Sequence, residues 1–160
     1  MFIRNLTVQD WPAVKEIYLS GLTTGNASFE TQAPEWEVWN MKHISHSRLV
    51  YEDAGQITGW TALSAVSDRC VYGGVAEVSI YIFEQGRGKG IGVKLLNALI
   101  AESERHGIWT LQSGIFQENK SSIRLHEKCG FRTIGYREKI GQLNGVWRNV
   151  ILMERRSKLI

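Results

Sequence analysis

The feature that most constrains this chain is a glycine-rich turn, Glu84 to Gly92, between two segments of different periodicity. The residues before it, Val75 to Phe83, form an apolar run typical of a strand, and the residues after it repeat apolar side chains at helical spacing. A turn of this kind directs several backbone N–H groups and the positive end of the helix dipole at one place, which favours a phosphate group. Arg87 and Lys89 add positive charge. The turn therefore predicts a pyrophosphate site, with a plain surface turn as the alternative.

The spacing of the glycines and the lysine excludes two common phosphate-binding motifs. A P-loop requires Ser or Thr after its lysine, but Lys89 is followed by Gly90. The dinucleotide fingerprint G-x-G-x-x-G, started at Gly86 or at Gly88, ends on an apolar side chain instead of glycine. A nucleotide-binding module is therefore disfavoured.

Composition favours one ordinary globular domain over residues 1–160. The chain has 43% hydrophobic and 22% charged residues, and its net charge of +3 is too small and too scattered to predict nucleic-acid binding. The start of the chain does not resemble a signal peptide, and no apolar run approaches the roughly 18 residues of a membrane span. We therefore expect a cytoplasmic protein with no membrane partner.

Cysteine and histidine spacing predicts no metal site. Cys70 and Cys129 do not have the spacing of metal ligands, and neither has an evident activating partner in the sequence. His43 and His46 lie three residues apart on an expected helix, but no third ligand accompanies them.

The remaining patterns predict the element order β-α-α-β-β-β-α-β-α-β-β, a mixed α/β sheet with a strand–turn–helix–strand unit at its centre. Thr7 to Asp10 has the spacing of a capping box, so the first helix is expected to begin there. The second helix is expected from Pro34 to Ile44. The last two strands, Phe131 to Glu138 and Val146 to Glu154, are expected to pair across Gly141 to Gly145.

A second motif follows the strand after this helix, from Asn119 to Phe131. It matches N-x-x-S-x-x-L-[YH]-E-K-x-G-[FY], and Arg87 to Gly92 matches [QR]-x-x-G-x-[GA]. Together the two motifs resemble the GCN5-related N-acetyltransferase (GNAT) superfamily over nearly the whole chain. The resemblance implies the GNAT fold, a mostly antiparallel sheet splayed at its central strands with helices on both faces, and acetyl-CoA as co-substrate.

The same resemblance implies which residues contact acetyl-CoA. Strand backbone would bond the pantetheine amides, the glycine turn would hold the pyrophosphate, and Asn119 would contact the pantetheine arm, with a helix cap as its alternative role. The implied cofactor-binding residues are Ile80, Tyr81, Ile82, Arg87, Gly88, Lys89, Gly90, Ile91, Gly92, Val93, Asn119 and Ser122.

Closer similarity is to the phosphinothricin acetyltransferase branch, through Val75 to Ile82, His126 and the loop Ala27 to Thr31. That branch acetylates the α-amino group of phosphinothricin, methionine sulfoximine, methionine sulfone and arsinothricin. The resemblance implies a homodimer and a substrate site containing Phe29, Glu30 and Arg69. Ser67 stands where the branch often has a second basic residue, a departure that bears on binding of strongly anionic substrates.

Glu77 and His126 are the candidate catalytic residues. An amine must lose a proton before it attacks a thioester, and Glu77 interrupts an otherwise apolar strand, where burial would make it a stronger base. Its alternative role is a structural carboxylate. His126 is expected to act as a second base, to orient water or to protonate the departing thiolate, with a packed helix histidine as the alternative.

The sequence thus predicts an acetyl-CoA-dependent N-acetyltransferase that transfers acetyl directly to a small amino acid or analogue. Two alternatives remain at this stage. One is an acetyltransferase that acts on a protein N-terminus, a lysine or a polyamine. The other is a catalytically silent acyl-CoA sensor.

Overall fold

The fold is organised around one sheet of seven strands. The computed structural model describes all 160 residues. The strands and helices are β1 (Phe2–Asn5), α1 (Trp11–Thr23), α2 (Trp36–Lys42), β2 (Leu49–Asp53), β3 (Gln56–Ala65), β4 (Val75–Ile82), α3 (Ile91–Arg105), β5 (Thr110–Phe116), α4 (Lys120–Lys128), β6 (Arg132–Leu143) and β7 (Val146–Arg156). This order along the chain confirms the one expected from the sequence. Within the sheet the strands lie in the order β1-β2-β3-β4-β5-β7-β6.

All neighbouring strands are antiparallel except β4 and β5, which are parallel. Parallel neighbours need a crossover connection, and α3 supplies it. The glycine turn lies at the start of this crossover, so the end of β4 leads directly to the N-terminus of α3. The expected mixed, mostly antiparallel sheet is confirmed.

Strands β4 and β5 separate soon after they meet. They pair only from Val75 to Glu77 and from Thr110 to Gln112. Beyond these residues β4 continues along β3, and β5 continues along β7. The backbone edge of β4 from Val78 to Ile82 therefore has no strand partner on this side, and the expected splay is confirmed.

Helices α1 and α2 cover one face of the sheet. Val14 and Ile17 of α1 and Trp39 of α2 are buried in one cluster with Val50 and Trp60 of the sheet. Full burial of each such side chain contributes on the order of 1.5–3 kcal/mol. This packing fixes α1 on the sheet and thereby positions the start of the loop that follows α1.

Helix α3 covers the opposite face. Its Leu95 and Leu99 are fully buried and cluster with Leu49, Tyr51 and Leu63. Leu49 and Tyr51 flank Val50 in β2, so alternate residues of one strand supply the two cores. Helices therefore cover both faces of the sheet, as expected.

Three expected boundaries were wrong. The capping box is present, but Thr7 and Asp10 enclose a short 3-10 turn, and α1 begins only at Trp11. Helix α2 is shorter than expected, because the backbone of His43 is extended and Ile44 N–H donates to the Leu63 carbonyl at 2.8 Å.

The final hairpin is also longer than expected. Residues Gly141 to Leu143 belong to β6, and the turn consists of Asn144 and Gly145 alone. Both have positive φ, 50° and 79°, as a two-residue hairpin turn of Asn-Gly type requires. The Asn144-Gly145 pair, which is a strong hairpin signal, therefore forms the turn, and Gly141 lies within β6.

Candidate active site

A cleft of about 910 Å³ occupies the gap between the diverging strands. One half is lined by the end of β4, the glycine turn and α4, and the other half by β5, β6, β7 and the loop after α1. We refer to these as the turn half and the loop half. The splay therefore produces one continuous site with two chemically different ends.

The glycine turn has the backbone geometry of an anion site. Gly88 and Gly90 both have φ of +76°, and Gly90 is the N-cap of α3. The first N–H groups of the helix have no partner within the helix, and the helix dipole adds positive potential there. Arg87 also lines the cleft beside these residues, while Lys89 does not.

Glu77 is the last residue of β4 that pairs with β5. Its side chain is exposed and faces the cleft, where Gln112 Nε2 donates to Glu77 Oε2 at 3.4 Å. The expectation of a buried Glu77 is wrong, because the strands open immediately beyond this residue and no side chain covers it.

His126 is the buried imidazole of the site, 1% exposed on α4 and lining the cleft. Its Nδ1 lies 2.8 Å from the Ser122 carbonyl, and Phe131 packs edge-to-face on the ring with centroids 4.9 Å apart. A carbonyl only accepts, so Nδ1 carries the hydrogen. Burial lowers the pKa of His126 from its ordinary value, so the ring is neutral, and its Nε2 has no partner in the protein.

Asn119 is a helix cap, the alternative role considered from the sequence. Its Oδ1 accepts from Ser122 N–H at 3.3 Å, at the start of α4. Its Nδ2 donates to the Asn26 carbonyl at 3.1 Å. Asn119 and Ser122 both line the cleft, and Ser122 also holds His126 through its carbonyl. The cap thus orders the imidazole as well as the helix.

The loop after α1 is held over the cleft by a loop anchor formed by Asn26, Asn119 and Arg148. Arg148 donates to the Gly25 carbonyl at 2.6 Å and to Asn26 Oδ1 at 2.7 Å. Its guanidinium also lies 4.0 Å above the Phe116 ring, and the side chain is only 11% exposed. The loop is therefore bonded to β7 and to α4 at once.

Comparison with known proteins identifies the family. The family model described as Acetyltransferase (GNAT) family matches residues 9–131. The chain belongs to the GNAT acetyltransferase family.

Two further similarities come from whole-length comparisons. The GNAT chain is 30% identical to the L-methionine sulfoximine/L-methionine sulfone acetyltransferase of Salmonella typhimurium, over 96% of this chain and 93% of that protein. A solved GNAT superfamily phosphinothricin acetyltransferase from Sinorhizobium meliloti, in complex with acetyl-CoA, has a TM-score of 0.89 and 28% identity, covering 97% of this chain and 87% of that one.

A third similarity is to a solved ribosomal-protein-alanine N-acetyltransferase from Brucella melitensis. Its TM-score is 0.90 with 28% identity, covering 98% of this chain and all of that one. The family and these relatives together show that this GNAT protein is an acetyl-CoA-dependent N-acetyltransferase.

Most of the site residues expected from the sequence line the cleft of this GNAT enzyme, and three do not. Among the cofactor candidates, Lys89 alone lies outside the cleft lining. Phe29 of the substrate candidates lines the loop half, packed edge-to-face on Phe116 at 4.7 Å, whereas Glu30 and Arg69 do not line the cleft. Arg69 is exposed, with its guanidinium 5.3 Å from the Tyr72 ring.

Tyr81 contributes more than the strand backbone expected of it. Its ring is stacked on Trp60 with centroids 5.0 Å apart and packs edge-on against Tyr18 at 4.8 Å. A Cβ at Gly21 would lie 2.6 Å from the Tyr81 ring, so α1 carries glycine where it crosses β4. Burial raises the pKa of Tyr81, which keeps its hydroxyl neutral.

Sequence reasoning missed the basic face of α4. Lys120, Arg124 and Lys128 all line the turn half of the cleft. They are spaced four residues apart, which places them on one face of the helix, and that spacing was the signal that could have identified them. With Arg87 they surround the turn half with positive charge.

No group of three or more His, Cys, Asp or Glu side chains lies in an arrangement that could hold a metal ion. None of the helices is long and apolar enough to cross a membrane.

Proposed function

We propose that this enzyme transfers acetyl from acetyl-CoA to the α-amino group of a small amino acid or amino-acid analogue by direct transfer. The observation that carries the proposal is the anchored loop, because Asn26 to Phe29 line the loop half and Asn26 is bonded to both Arg148 and Asn119. A bonded loop encloses the acceptor end, which suits a small amine better than a peptide chain. The relatives from Salmonella and Sinorhizobium, named for such substrates, support it.

The turn half fits acetyl-CoA on three features of this chain. The open edge of β4 at Ile80 to Ile82 offers backbone groups to the pantetheine amides, and the N–H groups from Gly88 to Val93 offer donors to the pyrophosphate. The basic face of α4 complements the remaining phosphate charge. Bound there, acetyl-CoA supplies the activated acyl thioester.

Glu77 is proposed as the group that takes the proton of the incoming ammonium. It lies on the cleft at the point where the strands part, between the turn half and the loop half. Its carboxylate is held by the Gln112 amide, which fixes one oxygen and leaves the other to accept a proton.

His126 is proposed as a hydrogen-bond acceptor in the reaction. With Nδ1–H donated to the Ser122 carbonyl, the free Nε2 of a neutral ring accepts a proton or orients a water. A proton taken up at Nε2 is then the one that the ring gives to the departing thiolate, so the arrangement is compatible with all three roles considered from the sequence.

The positions of the two cysteines favour direct transfer over an acetyl-enzyme intermediate. Burial raises the pKa of the Cys129 thiol, which keeps it protonated, and Cys70 lies on an exposed turn. Neither side chain lines the cleft, so no thiol is available there to carry the acetyl group.

A homodimer is proposed from the surface of the last hairpin. Apolar side chains are exposed there on the edge strand β6 and on β7 next to it: Ile134, Tyr136, Ile140, Val146 and Trp147. Exposed apolar groups of this extent on an edge strand are characteristic of protein interfaces.

The test is release of coenzyme A thiol with phosphinothricin, methionine sulfoximine, methionine sulfone, arsinothricin, the ordinary amino acids, polyamines and peptides that begin with alanine. Turnover on free amino acids or their analogues is expected. A second candidate, acetylation of a protein N-terminal alanine, is favoured by the similarity to the Brucella enzyme, and turnover confined to peptides would establish it instead.

Two pairs of variants test the residue roles. Glu77→Gln should lower kcat/KM by about 10²- to 10⁴-fold, while Glu37→Gln, on the distant α2, should not change it. His126→Asn keeps a donor for the Ser122 carbonyl but removes the acceptor at the Nε2 position, whereas His126→Gln returns a polar group near that position. Greater activity in the glutamine variant is expected, and equal full activity in both would exclude His126 from the reaction.

A further inference from the structure

The loop half contains a basic side chain that no sequence motif identified. Arg137 of β6 lines the cleft. It is exposed and forms no ion pair within the chain. The other basic groups that line the cleft belong to the turn half, namely Arg87, Lys120, Arg124 and Lys128.

Strand register places Arg137 on the same face of the sheet as Glu77. Arg137 pairs with Val150 of β7, and Glu77 pairs with Gln112 of β5. Gln112 in turn pairs with Glu154 of β7, four residues from Val150. Directly paired residues project to one face, and residues two or four apart in a strand share that face.

Between Glu77 and Arg137 the surface of the sheet carries a glycine and apolar side chains. Gly114 of β5 lies there, paired with Leu152, and it has no side chain to fill the space above the sheet. Val150 and Leu152 supply an apolar floor. Glu77 and Arg137 belong to strands three positions apart, about 14 Å laterally, and their register differs by four residues, about 13 Å along the strands, so their backbones lie roughly 20 Å apart. Both side chains must therefore extend towards each other, and a small zwitterion hydrogen-bonded at both ends spans the remaining gap.

The two other arginines considered for the acceptor carboxylate are placed less favourably. The Arg148 guanidinium is already bonded to Gly25, Asn26 and Glu118 in the loop anchor. Arg69, the arginine expected from the sequence, does not line the cleft and lies over Tyr72.

We propose that Arg137 binds the α-carboxylate of the acceptor amino acid and thereby selects the α-amino group for acetylation. This rests on the proposed function and assigns a specificity residue to it. An arginine binds a carboxylate through two parallel hydrogen bonds, which fixes orientation as well as position. With the carboxylate held at Arg137, the adjacent α-amine is directed towards Glu77, and an amine at the end of a long side chain is not.

The test compares L-methionine sulfone with its carboxamide, which keeps the amine and loses the negative charge. In wild type the acid should be preferred. Arg137→Gln should raise KM for the acid at least about tenfold, with little change for the carboxamide, and Arg137→Lys should recover part of the difference. The matched control is Arg132→Gln, on the same strand but ion-paired with Glu154, which should leave both substrates unchanged.

Two results would overturn the proposal. One is an equal loss on acid and carboxamide in Arg137→Gln, which would indicate a structural role. The other is an acid-selective loss in Arg69→Gln with none in Arg137→Gln.

A binding measurement separates this inference from the proposed function. Calorimetry with N-acetyl-L-methionine sulfone, the product, requires no turnover. Turnover of amino acids that persists unchanged in Arg137→Gln would overturn the role of Arg137 alone. Absence of both amino-acid turnover and product binding in wild type would overturn the proposed function and the carboxylate site together.

Discussion

The Arg148 guanidinium donates to the side-chain oxygen of Asn26 at 2.7 Å and joins two segments that are 122 residues apart in the chain. A second bond, to the Gly25 carbonyl at 2.6 Å, fixes the same loop. Because Asn119 bonds Asn26 from α4, the loop over the acceptor end is held by the final hairpin and by the helix that carries His126. Order in this loop therefore depends on both halves of the cleft.

Removal of the anchor should weaken binding of the amine more than binding of acetyl-CoA. Hydrogen bonds from a charged donor contribute roughly 1.5–3 kcal/mol each, so Arg148→Ala should raise the amine KM at least tenfold. Steady-state kinetics with each substrate varied in turn is the measurement. Arg105→Gln, in an exposed pair with Glu102, is the control and should behave as wild type. Equal increases in both KM values would contradict the assignment of Arg148 to the loop.

The glycine turn can be tested with a matched pair of strained positions. Gly90 at the start of α3 and Gly107 just after its end have φ of +76° and +78°, and a Cβ at either meets no atom within 4 Å. Alanine at each should lower the free energy of unfolding by a similar amount, about 1 kcal/mol. Only Gly90→Ala should also weaken acetyl-CoA binding, measured by calorimetry. Similar losses of affinity in both variants would show that the turn itself has no special role.

The size of the acceptor should depend on Gly114. A Cβ there would lie 3.4 Å from Val150 Cγ1, an ordinary contact, so Gly114→Ala is expected to fold. The added methyl group would occupy the cleft floor and raise KM more for the larger amino acids of a series than for the smaller ones. Gly135→Ala is the control, because Gly135 faces the same Leu152 from β6 but does not line the cleft. A uniform effect across acceptor sizes would remove Gly114 from the acceptor site.

Stability should fall in mild acid. Burial lowers the pKa of His43 and of His126 below the ordinary value of 6.5, so the unfolded chain binds more protons than the folded one in this range. The free energy of unfolding is therefore fully retained above pH 6.5 and declines as pH falls below it, by at most about 1.4 kcal/mol per pH unit for each histidine. Urea denaturation at pH 7.5 and 5.0 measures the decline. His43→Asn should reduce it, and an unchanged decline in both His43→Asn and His126→Asn would assign it to other groups.

Local signals predicted the turn half of the site from the sequence. The glycine turn and the motif from Asn119 to Phe131 are continuous stretches, and their chemistry follows from the turn and helix that they form. Asn119 illustrates the limit of this reasoning. Its cap of α4 is a local feature that the sequence offered, and its contact with the cofactor stays a prediction, but its bond to the Asn26 carbonyl joins two distant segments and has no local signal.

The loop half could not be predicted in the same way, because it is assembled from distant segments. Arg137 shares a sheet face with Glu77 only through the register of β5, β7 and β6, which no local pattern specifies. The exposure of Glu77 likewise depends on where β4 and β5 part. The register, rather than residue type, determines which side chains line the loop half of the cleft.

The short pairing of β4 with β5 has a consequence for local unfolding of the sheet. Within the sheet, only Val75 to Glu77 pair the strands β1 to β4 with the strands β5 to β7, while each block is internally paired along its length. The two blocks share the hydrophobic cluster under α3, so the weak point is the backbone seam and not the core, and hydrogen exchange should detect opening at this seam when the cleft holds no ligand. A ligand that bonds to both sides of the gap would act as an extra strand at the seam, so the concentration of acetyl-CoA would set how often the seam opens.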